Sequence, residues 1–274
     1  MNKIIKVSYP LIPNMGDRLN ELIIRNLFGF EIQSSNSIIA ELSAIGSGLK
    51  AFTLTGGKLS KARKLIIGPF LPPVKIWGTG FIDYSEKDMP FFRKMDFYAV
   101  RGKLSLLRVE KLIKRKLDIP LGDGGILAGE LINGGGKIYK VGVISHFREQ
   151  ENPLWKKLTD SFDNSVFIDL RKDPMDVISL ISSCECIISS ALHGLIVADS
   201  LGIPNMRIKN TNAPLGDGFK FDDYYSGYGL NSAAVDVNAV DITSLNTVYD
   251  NYKITRKMVD EKKELLTKAF PYKK

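Results

Sequence analysis

The chain has 274 residues, of which 44% are hydrophobic and 25% charged, and it carries a formal net charge of +8. That length suits about two domains, and the composition is that of a globular protein able to bury a proper core. No stretch approaches the roughly 18 consecutive apolar residues of a membrane span. The basic balance suits an anionic partner: nucleic acid, an acidic lipid surface or a phosphorylated small molecule. No recognised nucleic-acid motif accompanies the charge, so no nucleic-acid partner is expected.

The opening MNKIIKVSYPLIPNMGD has no long apolar region and no small-residue cleavage site, and does not read as a signal peptide. Cys184 and Cys186 stand one residue apart on an expected strand and so face opposite ways, against a mutual disulfide. Two such cysteines fit a reducing cytoplasm. No His, Asp or Cys cluster has metal-ligand spacing, so neither a metal nor a bound cofactor is expected.

In chain order, KIIKVSY (3–9) predicts a strand, NMGD (14–17) a loop, and Asp17 the N-cap of a helix over 18–28. AIGSGL (44–49) and IWGTGF (76–81) are apolar runs that end in small-residue loops. FYAV (97–100) predicts a strand with Arg101 at its end, followed by a helix over 103–115. IPLGDGGILAGEL (119–131) predicts a strand, a Gly/Asp turn and a short helix. INGGGKIYK (132–140) is the linker candidate, because three consecutive glycines disfavour any element interior.

A second alternation follows. KVGVISHF (140–147) and VFIDL (166–170) predict strands, and a helix starts at Pro174 with Asp173 as its cap. CECIIS (184–189) is a strand, 191–201 a helix stopping at Gly202, and NMRIK (205–209) a strand. KITRKMVDEKKELLTKAFPYKK at the C-terminus predicts an amphipathic basic helix. It reads either as a solvated surface helix or as a weak anchor on an anionic membrane. The fold class is therefore α/β: two Rossmann-like domains, 1–134 and 135–274, facing a cleft where the strand ends place ligands.

SSALHGLIVADSLGIP (189–204) puts one of only two histidines, His193, in the first turn of a helix. Free amides and the positive dipole end make such a start an anion site. Ser189 and Ser190 are placed to cap the helix or donate to the anion, and His193 to exchange a proton near neutral pH. The structural alternative is that Ser190 only caps and His193 bonds a nearby carbonyl.

The stretch SSALHGLIVADSLGIP resembles the signature of the polysaccharide pyruvyl transferase family. NMGD, WGTGF (77–81), AVRGKLS (99–105), LGDGGIL (121–127) and GFKFDDYYSGYG (218–229) match that family in the right order. One departure stands out: many members carry an arginine two residues before the histidine, and this chain has Ala191. The resemblance implies a two-domain, glycosyltransferase-B-like fold and transfer of the pyruvyl unit of phosphoenolpyruvate to a glycan as a cyclic ketal. The first domain would take the acceptor and the second the donor. Phosphoenolpyruvate is then a substrate, and the acceptor partner a lipid-linked oligosaccharide at the cytoplasmic face, with peripheral membrane contact.

Under that resemblance His193 is the general acid or handles the leaving phosphate, and Ser189, Ser190 and Gly194 hold donor phosphate or carboxylate. Arg101, Lys220 and Arg207, with Lys209 behind them, are the donor cations that would replace the missing arginine. Asp17, then Asp123, is the candidate base, against the plainer readings of helix cap and turn residue. Asn14, Gly16, Trp77, Gly78 and Tyr224, with Tyr225, are acceptor-side candidates. Asp222 and Asp223, in an expected loop, would orient Lys220 or His193, and His146 reads as structural. A nucleotide-sugar glycosyltransferase and a non-catalytic glycan- or anion-binding relative are the competing functions.

Overall fold

Ile5 and Val7 are buried and alternate with exposed Ile4 and Lys6 along β1 (Ile4–Ser8), the period-two pattern of a strand with one covered face. The computed structural model describes residues 4–84, 89–210, 218–237 and 245–273. After β1 come α1 (Met15–Phe28), β2 (Glu31–Ser35), β3 (Leu42–Ser43), α2 (Lys58–Ile67), β4 (Val74–Trp77), β5 (Met95–Ala99) and α3 (Lys103–Ile113). A 3-10 segment, Gly124–Leu131, leads through an exposed 133–138 stretch to β6 (Tyr139–Ile144). Then follow α4 (Pro153–Asp160), β7 (Ser165–Phe167), α5 (Pro174–Ser182), β8 (Cys184–Ser189), α6 (Leu192–Ser200) and β9 (Asn205–Lys209). The chain ends in α7 (Phe219–Ser226), β10 (Val235–Asp236), α8 (Asn246–Asn251) and α9 (Arg256–Lys268).

The strands form two five-stranded sheets, ordered β2-β1-β3-β4-β5 and β10-β9-β8-β6-β7, with every pairing parallel. Read from its own first strand, each sheet has the order 2-1-3-4-5. The α/β class with two Rossmann-like sheets is as expected. In such a sheet the order reverses beside the first strand, and ligands bind there, outside the strands' C-terminal ends. The first sheet's switch point opens between the ends of β1 and β3, the second's between those of β6 and β8.

A single apolar core joins the two sheets, running from Ile5, Leu19 and Ile23 to Ile178, Leu195 and Ile196. The Met15 amide donates to the Leu170 carbonyl at 2.8 Å, and Arg18 pairs with Asp173 at 3.5 Å. The C-terminal helix α9 returns to the first sheet. Trp77 Nε1 donates to the Leu266 carbonyl at 2.9 Å, and the Phe270 ring stacks on Phe28 at 3.8 Å. The apolar side of α9, Val259 and Leu266, is thus spent on the core, and its charged side is the solvated one.

Several local expectations change. The N-cap of α1 is Asn14, with extended backbone (φ −144°, ψ 122°), and Asp17 lies inside the first turn. Leu121 makes only an isolated parallel bridge to Val100 rather than a strand. The segment with Asp222 and Asp223 is the helix α7, not a loop: Phe219, Phe221, Asp223 and Tyr224 all turn inward. By contrast, Asp173 caps α5 at Pro174 by accepting from the Met175 amide, and β8 and β9 span the expected residues.

Candidate functional site

A cavity of about 270 Å³ lies where the two switch points face each other. Ser8 and Tyr9 after β1 and Ile45–Gly48 after β3 line it from the first half. His146–Arg148 after β6, Ala191–His193 after β8, and Lys220 line it from the second.

Two helix starts meet in this cleft. The caps Asn14 of α1 and Ala191 of α6 accept no side-chain bond from the amides of their helices. Ala191, Leu192 and His193 at the start of α6 line the cavity, with the positive dipole end of the helix behind them. The halves touch closely at this point. A methyl group placed on Gly16 would lie 2.1 Å from His193 Nδ1, so the imidazole rests directly on the backbone of α1. Only glycine leaves that room. His193 Nε2 is buried and has no hydrogen-bond partner among the described residues.

The charges here disfavour further protons. Burial, then Lys220, Arg101 and His146, push the His193 pKa down to about 3. Burial, then Lys220 and Arg148, push His146 down to about 4. Lys220 is itself lowered to about 8 by burial and by Arg101 and Arg207, against Glu149 and Asp17. Asp17 accepts from Asn14 Nδ2 at 2.7 Å, and burial raises its pKa, opposed by that bond and by Lys220. Both histidines are therefore neutral at physiological pH, which corrects the expectation of a His193 that exchanges protons near neutrality in the free protein. Crowded, partly dehydrated cations are relieved by an entering anion, which raises all three values at once.

Of the expected site residues, Asn14, Gly16, Asp17, His193 and Lys220 come together, and His146 lines the same cavity. The others go elsewhere. Ser189 is fully buried and closes the β8–α6 turn through the Ala191 amide and carbonyl, both at 3.0 Å. Ser190 Oγ accepts from the His146 amide at 2.9 Å and donates to Glu149 at 3.1 Å, fastening one cleft loop to the other. Neither serine caps α6. Gly194 serves packing: a methyl group there would meet Ser189 Oγ at 2.7 Å.

Arg101 is neither a surface residue nor a free cation. It is fully buried, pairs with Asp223 at 2.9 Å, and donates to Ser47 Oγ at 2.8 Å and to the carbonyls of Gly46 and Phe81. Asp223 also accepts from the Ser105 amide and hydroxyl, at 2.7 and 2.6 Å. This buried pair anchors α7 and the Gly46–Ser47 wall, and Asp223 orients neither Lys220 nor His193. Asp222 accepts from Tyr84 at 2.9 Å and lies 3.8 Å from Arg207.

Arg207 lies over the Phe221 ring at 3.9 Å and lines a separate cavity with Tyr225 and Leu230, while Lys209 is exposed at the end of β9. Asp123 is fully buried, caps the 3-10 segment through the Gly125 amide, and does not line the cleft; burial raises its pKa to about 6. Trp77 is core, as is Tyr224, whose hydroxyl bonds Asp199 at 2.7 Å. Gly78 has φ +81°, and a side chain there would also meet the Gly124 amide at 2.7 Å.

Arg148 lines the cleft and Glu149 accepts from Ser190 beside it; the pattern of the sequence marked neither, and burial raises the Glu149 pKa. Their one sequence signal is position, directly after the first strand of the second half. Among the described residues no group of three His, Cys, Asp or Glu side chains is placed to hold a metal ion. No helix there is long and apolar enough to cross a membrane.

Residues 126–212 match the family model described as polysaccharide pyruvyl transferase. An uncharacterized protein of Acanthamoeba polyphaga mimivirus is 33% identical over 57% of this chain and 55% of its own length. The succinoglycan biosynthesis protein ExoV of Rhizobium meliloti (strain 1021) is 27% identical over 79% of this chain and 62% of its own. The chain thus spans less than two thirds of either relative. A crystal structure of an uncharacterized protein from Klebsiella pneumoniae subsp. pneumoniae NTUH-K2044 aligns over 85% of this chain and 92% of that one. Its TM-score of 0.47 and identity of 14% carry no argument.

Proposed function

From the chain's kinship with the polysaccharide pyruvyl transferase family, carried by residues 126–212, we propose that it transfers the pyruvyl unit of phosphoenolpyruvate to two hydroxyls of a glycan. The product is a cyclic ketal and the leaving group is phosphate. The observation that supports this most is the meeting of two uncapped helix starts, two neutral histidines and Lys220 around one cavity. That set lacks an anion, and phosphoenolpyruvate supplies two, a phosphate and a carboxylate.

In this reading Lys220 takes the place of the arginine absent at Ala191. Its ammonium is in the cleft and has no hydrogen-bond or ion-pair partner among the described residues. Arg148 is the second cation. The trianionic donor raises the His193 pKa on binding, so the imidazole gains a proton only when substrate is present. His193 then protonates the donor methylene, and the phosphate departs as an anion. The methylene becomes the ketal methyl group as one sugar oxygen bonds to the adjacent carbon. The carbon–oxygen bond to phosphate breaks, and the second hydroxyl closes the ring as its proton leaves. Asp17, with its raised pKa, is the base that takes a hydroxyl proton, oriented by Asn14.

The first half, 1–134, then holds the acceptor and the second, 135–274, the donor, in the glycosyltransferase-B manner. A lipid-linked oligosaccharide at the cytoplasmic membrane face fits as acceptor, with no metal or resident cofactor needed. Calorimetry with phosphoenolpyruvate tests the donor assignment. Binding that Lys220→Met weakens about tenfold or more supports it. Binding of a nucleotide sugar in place of phosphoenolpyruvate would favour a glycosyltransferase.

A further inference from the structure

The helix α2, KLSKARKLII, buries none of its ten residues. Leu59 is 89% exposed, Ile66 69% and Leu65 57%, and Phe70, just beyond the helix, is 87% exposed. A soluble protein turns the apolar stripe of a surface helix inward. Here the orientation is reversed. Lys64 faces the protein, donating to the Thr53 and Thr55 carbonyls at 3.0 and 3.3 Å, with its ammonium 5.1 Å from the Phe92 ring centroid. Leu59, Ala62 and Ile66, at i, i+3 and i+7, form an outward stripe, and Lys58 and Arg63 flank it on either side. Single exposed leucines need no explanation, but a contiguous apolar cluster marks a contact surface.

The charge around this cluster says what it contacts. Gly56–Pro73 contains Lys58, Lys61, Arg63 and Lys64, and no acidic residue occurs between Leu42 and Ile82. Apolar side chains that project outward between flanking cations are the pattern of a helix lying in the headgroup layer of an anionic bilayer. We propose that α2 and Phe70 form a peripheral docking surface for an anionic lipid membrane. Leu59, Ile66 and Phe70 insert among the acyl chains, and Lys58, Lys61 and Arg63 meet the headgroups. The C-terminal helix α9, though basic, has no comparable free face, because Val259 and Leu266 are inside the core. The crossover that carries α2 also supplies the Gly46–Gly48 wall of the cleft, so a docked protein holds that wall near the lipid. The proposal stands on α2 alone and does not depend on the reaction assigned to the cleft.

Co-sedimentation of the full chain with phosphatidylcholine vesicles, with and without phosphatidylglycerol, tests it. Binding should require phosphatidylglycerol and fall steeply as salt is raised. The variant Leu59→Ser, Ile66→Ser, Phe70→Ser should keep the wild-type melting temperature, since all three side chains are exposed, and lose affinity at least tenfold. Absence of binding to phosphatidylglycerol vesicles at low salt would overturn the proposal. So would binding that survives the triple variant but is lost with Lys257→Glu and Lys268→Glu in α9. A dimer in light scattering that the triple variant dissolves would instead assign the face to a second copy of the chain.

Discussion

Gly16→Ala separates the chemistry of the cleft from its stability. The added methyl carbon would lie 2.1 Å from His193 Nδ1, where ordinary contact begins near 3.4 Å, so the imidazole must retreat by more than 1 Å. A misplacement of about 1 Å in a catalytic group costs on the order of 10²-fold in rate, or about 2.7 kcal/mol of transition-state stabilisation. Gly16 is in helix α1, and its φ is not positive, so alanine is allowed by the backbone and contributes up to about 1 kcal/mol of helix propensity. Strain against the imidazole offsets this gain. The melting temperature should therefore stay within about 4 °C of wild type while kcat/KM for pyruvyl transfer falls about 10²-fold. In a His193→Ala background the methyl group has nothing to displace, so the double variant should be no slower than His193→Ala alone. Full activity in Gly16→Ala, or simple additivity in the double variant, would refute the placement of His193 in the reaction.

Four further expectations follow from the same geometry. Donor affinity should weaken as pH rises, because His193 takes up a proton on binding, with a further fall above about pH 8 as Lys220 loses its proton; Lys220→Arg should abolish only that further fall, measured by calorimetry across pH. Asp223→Asn leaves the buried Arg101 guanidinium without its counter-ion, so it should cost about 3–5 kcal/mol and lower the melting temperature by about 10 °C; a shift of under 2 °C would contradict it. Trp77→Phe removes the bond to the Leu266 carbonyl and should cost about 1–3 kcal/mol without changing the acceptor KM, whereas a raised KM at unchanged stability would restore a sugar-stacking role. His193 and His146 have folded pKa values of about 3 and 4, below the ordinary 6.5 of an imidazole in the unfolded chain. The unfolded state therefore binds more protons as pH falls, and the stability present above about 6.5 is lost toward 3. Urea midpoints across that window should flatten in His193→Asn.

The sequence was most legible where geometry writes itself into pattern. Cys184–Ser189 and Asn205–Lys209 are strands of a parallel sheet and read as short apolar runs, and Asp173-Pro174 is a cap followed by a first-turn proline. The helix start carrying His193 is legible for the same reason, whereas Gly16 reads as part of a loop before a helix at 18 and lies instead in the first turn of α1. What sequence does not encode is which way a single polar or aromatic side chain faces. Arg101, Asp123, Trp77 and Tyr224 have the chemistry of ligand-binding residues, yet each is held inside the protein by a partner distant in sequence or by the local backbone: Asp223, the Gly125 amide, Leu266 and Asp199. Phe219–Ser226 reads as a loop because its inward residues include Asp223, a carboxylate whose burial depends on Arg101 from the other half of the chain. Arg148 follows no motif, and only the pairing of β6 with β8 carries it to the cleft.

The most direct test supplies the purified chain with phosphoenolpyruvate and a panel of oligosaccharides, free and lipid-linked, and follows phosphate release together with the mass of each glycan. Pyruvyl transfer predicts one phosphate released per glycan that gains pyruvate less water, with both signals lost in His193→Ala at an unchanged melting temperature. Phosphate release without any modified glycan, or glycan modification that persists in His193→Ala, would contradict the account.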